Sequence, residues 1–365
     1  MQNGDAMISA LLSHDLPKSK VLAALLGLIL LGLALAPFLF PGAAAINTAA
    51  KICIFIVLVA SYDILLGYTG IVSFAHTMFF GIGGYGVGLS LYFLGATWPI
   101  VALGIVVALI LGVALAFIIG LVSLRVKAIF FAMITLAVAS AFLILATQLS
   151  ALTGGEDGRS FRVPELIRPA TKLLETPVFG LEITGRVAAY YLIFFAALAL
   201  FLVALRLVNS CFGRVLQAIR ENELRAEALG YRVVYYRTLA SCLSAALAVA
   251  AGCLSALWLR YTGPETTLSF AIMLDVLLMV VIGGMGTLYG AVIGTTLFVL
   301  AQNYLQKLMG IASAATEGIP LLPRLLHPDR WLLLLGILFV LSVYFFPTGI
   351  AGRLAGPPRK EESQR

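Results

Sequence analysis

Long apolar runs separated by short polar stretches dominate the chain. A helix needs about 20 apolar residues to cross a bilayer, and runs near that length predict spans at Val21–Phe40, Ile46–Gly67, Ser73–Phe93, Trp98–Leu124, Ala128–Leu149 and Ala188–Val208. After a charged interval they resume at Thr238–Tyr261, Phe270–Met285, Leu288–Met309 and Trp331–Phe346. Because Phe270–Met285 is short, we expect it either to cross as a short helix or to be re-entrant. The pattern predicts an all-α polytopic membrane protein with about eight to ten transmembrane helices.

Composition and charge agree with this prediction. Of 365 residues 61% are hydrophobic and 11% are charged, whereas about a quarter of a soluble domain is charged. The net charge of +7 lies mostly in loops and tails, where it sets orientation rather than indicating nucleic-acid binding. With the N-terminus in the cytoplasm, we expect a tail at 1–20, a membrane domain at 21–347 with an external loop at 150–187 and a cytoplasmic loop at 209–237, and a cytoplasmic tail at 348–365.

The segment Gly213–Gly230, here called the island, is strongly charged between two spans. Its apolar residues recur at helical spacing, at Val215, Leu216, Ile219, Ala226 and Leu229. Glu221 and Arg225 would form a favourable i, i+4 pair on one helix. The island therefore predicts an amphipathic helix that docks on a soluble partner, and the alternative is a solvated connector.

Glycines and a faint repeat indicate how the spans pack. Gly81, Gly83 and Gly86 spell GxGxxG, but no strand precedes them as a dinucleotide site requires. Helix packing through small residues is the better interpretation, and it applies to Gly81, Gly84, Gly88, Gly286, Gly290 and Gly294. Tyr68-Thr-Gly is echoed at Tyr261-Thr-Gly, so we expect two weakly related halves with a translocation pathway between them.

Polar residues within the spans are the candidates for that pathway. They are Tyr68, Ser73, His76, Thr77 and Asp275. Ser73 could equally cap a helix, and we expect Lys51 and Asp63, near opposite ends of one span, to snorkel or cap.

Several chemistries lack their sequence signatures. The chain has no Gly-Lys dipeptide, so a Walker A loop is excluded and ATP-driven work requires another polypeptide. Four isolated cysteines and three distant histidines give no metal-ligand pattern, and no nucleophile neighbours a base. We expect a conduit rather than an enzyme, with no metal or cofactor on this chain.

Six sequence blocks carry a family resemblance. They are Gly67–Tyr85, Phe131–Ala137, Thr153–Gly158, Phe212–Gly230, Gly283–Gly290 and Phe345–Gly349. In this order they resemble the permease subunits of high-affinity branched-chain amino acid ABC importers, over most of Ile46–Gly349. Two features depart from that pattern: relatives more often carry an uncharged residue at Asp63, and the segment from Met309 to Trp331 is longer than usual.

The resemblance implies an assembly and a mechanism. The island would contain the coupling helix that docks on an ATP-binding subunit, through Gly213, Arg214, Ala218, Ile219, Arg220, Glu221, Asn222, Glu223, Glu227, Ala228 and Gly230. The implied partners are a second homologous permease, two ATP-binding subunits that hold ATP and magnesium, and a periplasmic binding protein. The implied location is the bacterial inner membrane, among its lipids, and the implied mechanism is alternating access.

Two kinds of alternative stay open. Related permeases carry urea, short amides or aromatic acids, so the resemblance does not name the cargo. The chain could also be an ion-coupled secondary transporter or a membrane scaffold. The scarcity of buried acids disfavours the secondary transporter, and a scaffold gives the paired glycine-rich segments no purpose.

Overall fold

The computed structural model describes residues 19–40, 42–123, 128–172, 184–315, 327, 330–345 and 348–354. Their longer helices are α1 (Lys20–Leu39), α2 (Ala43–Asp63), α3 (His76–Leu94), α4 (Trp98–Ser123), α5 (Ala128–Gln148), α6 (Gly185–Asn209), α7 (Cys211–Glu221), α8 (Glu223–Ala228), α9 (Val233–Leu259), α10 (Pro264–Thr267), α11 (Phe270–Gly283), α12 (Leu288–Ala315), α13 (Trp331–Phe345) and α14 (Gly349–Leu354). Single turns lie at Ser150–Thr153, Gly155–Asp157 and Glu165–Ile167, and the strands β1 (Arg159–Ser160) and β2 (Tyr261–Thr262) form one antiparallel pair. Nine helical segments in the described ranges are long and apolar enough to span a membrane. The predicted all-α polytopic fold is confirmed.

Three of these spans form the centre of the bundle. In α2, α3 and α9, 83%, 67% and 72% of the apolar window is buried, against 17% in α1 and 22% in both α4 and α5. The outer helices therefore leave most of their apolar surface for lipid. At the α3–α9 crossing a side chain at Gly83 would overlap the Val249 carbonyl, and one at Gly252 would overlap the Phe80 carbonyl. Glycine is needed there because the two backbones lie in contact.

The bundle has two ends, which we name the α7 face and the β face. On the α7 face, Arg220 of α7 contacts Gly67, Gly70 and Gly286. On the β face, Arg159 and Ser160 pair with Thr262 and Tyr261. The segment from Pro264 to Gly283 thus begins beside the β face and ends beside the α7 face. It crosses the bundle and is one of the nine described segments long and apolar enough to span a membrane, which favours the short-crossing alternative over the re-entrant one.

The two Tyr-Thr-Gly copies differ in backbone and position. Tyr68 and Thr69 end a π-helical turn, Ile64–Thr69, and Gly70 has φ +71°. Tyr261 and Thr262 form β2 instead, and Gly263 precedes α10. Each copy follows a long buried helix, but the first lies at the α7 face and the second at the β face.

The structure moves the start of one predicted span and adds detail to three other predictions. The third span begins at His76 rather than Ser73, because residues 70–75 are not helical. Gly286, predicted to pack helices, lies in the turn between α11 and α12 with φ +83°. The predicted tail at 348–365 contains α14, whose Ala351 packs with Leu22 and Ile293. The described part of the predicted tenth span, α13, has 15 residues.

Candidate functional site

The island forms two short helices rather than one. Ser210 caps α7 by accepting a hydrogen bond from the Gly213 N–H, and Asn222 caps α8 by accepting one from the Arg225 N–H at 3.0 Å. Asn222 itself has extended backbone, as N-cap residues usually do. Since this break puts Glu221 and Arg225 on different helices, their predicted i, i+4 pair is wrong.

The inner surface of the island is fixed to the bundle. Leu216, Ile219 and Ala226 are buried. Glu223, predicted to face a partner, instead accepts two hydrogen bonds from Arg237 on α9, at 2.9 and 3.1 Å. A bidentate carboxylate–guanidinium pair fixes orientation as well as distance. The island is therefore joined to α9 by an ion pair and by apolar packing.

The outer surface of the island, together with the segment that leads into α9, exposes apolar side chains. Leu224 is 79% exposed, Leu229 73% and Tyr235 63%. We call Leu224, Leu229, Tyr231 and Tyr235 the docking surface. Leu229 was predicted to share one apolar, partner-facing stripe with Leu216, Ile219 and Ala226, but these three are buried in the chain itself and only Leu229 is exposed. The sequence signal that could have identified Leu224 as exposed is that it lies off the helical face shared by Leu216 and Ala226.

The predicted coupling residues divide between the two surfaces. Gly213 and Ile219 are buried, whereas nine residues are exposed, namely Arg214, Ala218, Arg220, Glu221, Asn222, Glu223, Glu227, Ala228 and Gly230. Arg220, although partly exposed, donates a hydrogen bond to the Gly67 carbonyl. Its guanidinium is thus directed toward the bundle.

Two interruptions of helical structure lie against each other through Phe74 and Phe270. The first is the segment 70–75 between the π-helical turn and α3, and the second is Leu268–Ser269 between α10 and α11. The Phe74 N–H donates to Thr135 Oγ1 at 3.1 Å, and the ring centroids of Phe74 and Phe270 are 6.0 Å apart. Irregular backbone at membrane depth is tolerated where protein or a water-filled cavity surrounds it, and broken helices commonly line transport pathways.

Four of the predicted pathway residues support the first interruption. Tyr68, Ser73, His76 and Thr77 are buried by the chain itself. His76 Nε2 lies 2.8 Å from Ser244 Oγ, and the His76 ring packs edge-on to Tyr62. Ser73 accepts a hydrogen bond from the Ala75 N–H just before α3. In this conformation all four are packed within the chain.

Asp275, the fifth predicted pathway residue, lies in a separate polar cluster with Lys51 and Gln302. Lys51 Nζ donates to Gln302 Oε1 at 2.8 Å, and Gln302 Nε2 donates to Asp275 Oδ2 at 3.4 Å. The ammonium group of Lys51 also lies 5.5 Å from the Phe55 ring centroid. Lys51 therefore does not snorkel to the membrane surface. Its partners belong to α11 and α12, and the hydrophobic pattern of one span does not predict which other spans it contacts.

The predicted packing glycines have different neighbours. A side chain at Gly81 would overlap Leu268, and one at Gly294 would overlap the Met279 carbonyl of α11. Gly84, Gly88 and Gly290 also lie close to neighbouring segments. Within the described ranges, no three His, Cys, Asp or Glu side chains come together in a way that could hold a metal ion.

Comparison with known proteins identifies the family. The family described as "Branched-chain amino acid transport system / permease component" matches residues 44–343. A probable branched-chain amino acid transport permease, LivM, of Methanocaldococcus jannaschii is 29% identical over 83% of this chain and 92% of its own. The high-affinity branched-chain amino acid transport system permease LivM of Salmonella typhimurium is 26% identical over 78% of this chain and 69% of its own.

The corresponding LivH permease of Salmonella typhimurium is also similar, at 26% identity over 80% of this chain and 89% of its own. No solved structure gives a significant match. Since the family match spans most of the chain and includes both helical interruptions and the island, this multi-pass membrane protein belongs to the branched-chain amino acid transport permease family.

Proposed function

We propose that this chain is the permease subunit of an ATP-driven importer of branched-chain or other hydrophobic amino acids. In the proposed assembly it pairs with a second homologous permease, so that each contributes half of the pathway. Two ATP-binding subunits, which hold ATP and magnesium, dock on the α7 face. A periplasmic binding protein delivers the amino acid to the β face.

The distribution of charge supports this orientation. Lys20, Arg214, Arg225, Arg232 and Arg353 are exposed at or near the α7 face. The described external loop mixes signs, as in the ion pair of Arg168 with Glu165. Positive charge concentrates in cytoplasmic loops of membrane proteins. We therefore assign the α7 face and both termini to the cytoplasm of a bacterial inner membrane.

The observation that carries the proposal is the exposure of Leu224 and Leu229, at 79% and 73%. A solvated connector has no use for two exposed leucines on a helix pair that is rigidly anchored on its other side. Covering a leucine side chain contributes about 1.5–3 kcal/mol, so the two supply a useful hydrophobic centre for an interface. Exposed Glu221, Arg225 and Glu227 around them form a polar rim, as interfaces typically have.

The proposed mechanism is alternating access driven by the ATP-binding subunits. When these subunits close on ATP, they bind one position of the islands more tightly than the other. That difference in affinity is the free energy available for shifting the bundle between its conformations. The island transmits the shift because Glu223–Arg237 and its buried apolar residues tie it to α9.

The docking surface can be tested by co-purification with the ATP-binding subunits encoded beside this chain. We expect Leu224→Ala with Leu229→Ala to lower the recovered ATP-binding subunit at least tenfold, without loss of the permease from the membrane. Leu166→Ala is the matched control, since Leu166 is 51% exposed but lies in the external loop. Unchanged recovery in the double variant would show that the ATP-binding subunit docks elsewhere.

The cargo requires a separate measurement. Calorimetry on the accompanying binding protein, with leucine, isoleucine, valine, urea, amides and aromatic acids, tests which solute the system takes. Binding of leucine, isoleucine or valine supports the proposed cargo. Selective binding of urea, an amide or an aromatic acid would replace the cargo and keep the assembly.

A further inference from the structure

Arg220 is the residue of the island that reaches into the bundle. Its guanidinium donates to the carbonyl of Gly67 within the π-helical turn, and its Cγ lies 3.2 Å from the position that a side chain at Gly70 would occupy. Its Nη1 lies 3.0 Å from the corresponding position at Gly286. One side chain of α7 therefore contacts both the turn after α2 and the turn between α11 and α12.

Asp63 joins the same two turns from beneath Arg220. It is 1% exposed, and its Oδ1 accepts a hydrogen bond from the Gly286 N–H at 2.8 Å. Gly286 lies two residues before α12, a helix of 28 residues, so the carboxylate faces the positive end of that helix dipole. Arg220 and Asp63 therefore meet at the same two glycines, Gly67 and Gly286.

The backbone at this junction leaves no spare room. A side chain at Gly67 would overlap both Asp63 Oδ1 and the Gly286 nitrogen. Gly286 has φ +83°, a conformation that side-chain-bearing residues rarely adopt. The contacts between the two turns are therefore specific to one arrangement, and a change at either turn must be felt by the other.

The first turn leads directly to a helical interruption, and the second is connected to the other interruption through the length of α11. The π-helical turn continues through Gly70 into the segment 70–75, which carries Phe74. The turn at Gly286 ends α11, whose first residue, Phe270, packs against Phe74. A displacement of Arg220 thus acts on both segments that meet at the Phe74–Phe270 contact.

We propose that Arg220 and Asp63 are a positioning pair that carries movement of the island into the two interrupted segments. Arg220 is then an intramolecular link rather than a contact to the ATP-binding subunit. This inference rests on the proposed function, since it requires an ATP-driven movement of α7. It separates two roles within the island: the docking surface receives the ATP-binding subunit, and Arg220 transmits the movement.

The test uses the complete importer in proteoliposomes, with leucine, isoleucine and valine as labelled cargo. For Arg220→Gln we expect wild-type recovery of the ATP-binding subunits, ATP hydrolysis within about twofold of wild type, and at least tenfold less uptake per ATP. Arg220→Lys keeps the charge without the planar fork, and we expect it to restore part of the uptake. Arg206→Gln, at an exposed arginine of α6, is the control and should transport normally.

A second pair of variants separates this role from plain stability. Asp63→Asn keeps an oxygen for the Gly286 N–H and removes the charge, so we expect intermediate uptake per ATP. If the two residues act as one unit, Arg220→Gln with Asp63→Asn should transport no worse than Arg220→Gln alone. If Arg220→Gln does not assemble, Arg220→Lys and Asp63→Asn measured against wild type decide the matter.

Two results would overturn the inference. The first is wild-type uptake per ATP in Arg220→Gln. If Arg220→Gln does not assemble, the equivalent result is wild-type uptake per ATP in both of the single variants Asp63→Asn and Arg220→Lys. The second is loss of the ATP-binding subunits from assembled Arg220→Gln, which would make Arg220 a docking residue. Failure of the proposed function looks different, because the wild-type complex would then hydrolyse ATP without any uptake of these amino acids.

Discussion

The polar cluster of Lys51, Gln302 and Asp275 gives a quantitative prediction about the bundle. At 1.5 Å per residue, Lys51 lies about 12 Å along α2 and Asp275 about 7.5 Å along α11, so both are within the apolar spans. Removing one partner of a fully buried ion pair costs about 3–5 kcal/mol. Lys51 and Asp275 are linked through Gln302 and are only half-buried, so we expect a smaller cost, about 1–3 kcal/mol, from Lys51→Met or Asp275→Asn.

A double-mutant cycle isolates the interaction. Because each single change leaves the other charge without its partner, the double variant should lose less stability than the sum, by about 1–2 kcal/mol. Reversible denaturant unfolding in detergent micelles measures the three free energies, and Lys307→Met, at an exposed lysine of α12, should be nearly neutral. Additivity within about 0.5 kcal/mol would refute the argument that this pair holds α11 against α2.

Two further predictions concern the helix crossing and the topology. Gly252→Ala should force α9 away from the Phe80 carbonyl and cost about 1–3 kcal/mol of stability, measured as a lower unfolding temperature. Gly32→Ala is the control and should not destabilise the protein, because no atom lies within 4 Å of the added methyl group. Equal effects of the two changes would contradict close packing of α3 and α9. Native Cys211, which is exposed on α7, should react with a membrane-impermeant maleimide only in inside-out vesicles. A cysteine introduced by Ser160→Cys should react only in right-side-out vesicles. Labelling of both cysteines from one side would contradict the placement of the α7 face and the β face on opposite sides of the membrane.

Sequence predicted the spans well where hydrophobicity alone decides the outcome. The fourth span was predicted at Trp98–Leu124 and α4 runs from Trp98 to Ser123, because a lipid-facing helix has no other requirement. The third span failed at its start for the opposite reason. Residues 70–75 are apolar enough to continue a helix, but their backbone is set by tertiary contacts such as Phe74 with Thr135.

The island shows the same limit at the scale of a few residues. Its amphipathic spacing was readable, and Asn222 is a common N-cap residue, but the choice between one helix and two depends on packing against α9. Glu223 and Arg237 lie on different helices separated by a turn, so helical spacing does not predict their contact. The direction of Arg220 depends on where Gly67 and Gly286 come together, and those residues are far apart in sequence.

The positions of the two Tyr-Thr-Gly copies bear on how the halves are related. The first copy follows α2 at the α7 face, and the second follows α9 at the β face. Since each copy ends its helix, α2 and α9 run in opposite directions across the bundle, as inverted repeats require. Each copy also contacts a segment of this chain that lies at a face where we propose another subunit docks. Gly70 meets Arg220 of the island, and Thr262 pairs with Arg159 of the external loop. One local motif would then serve both ends of the pathway, linking the first interruption to the ATP-binding subunit and the second to the binding protein.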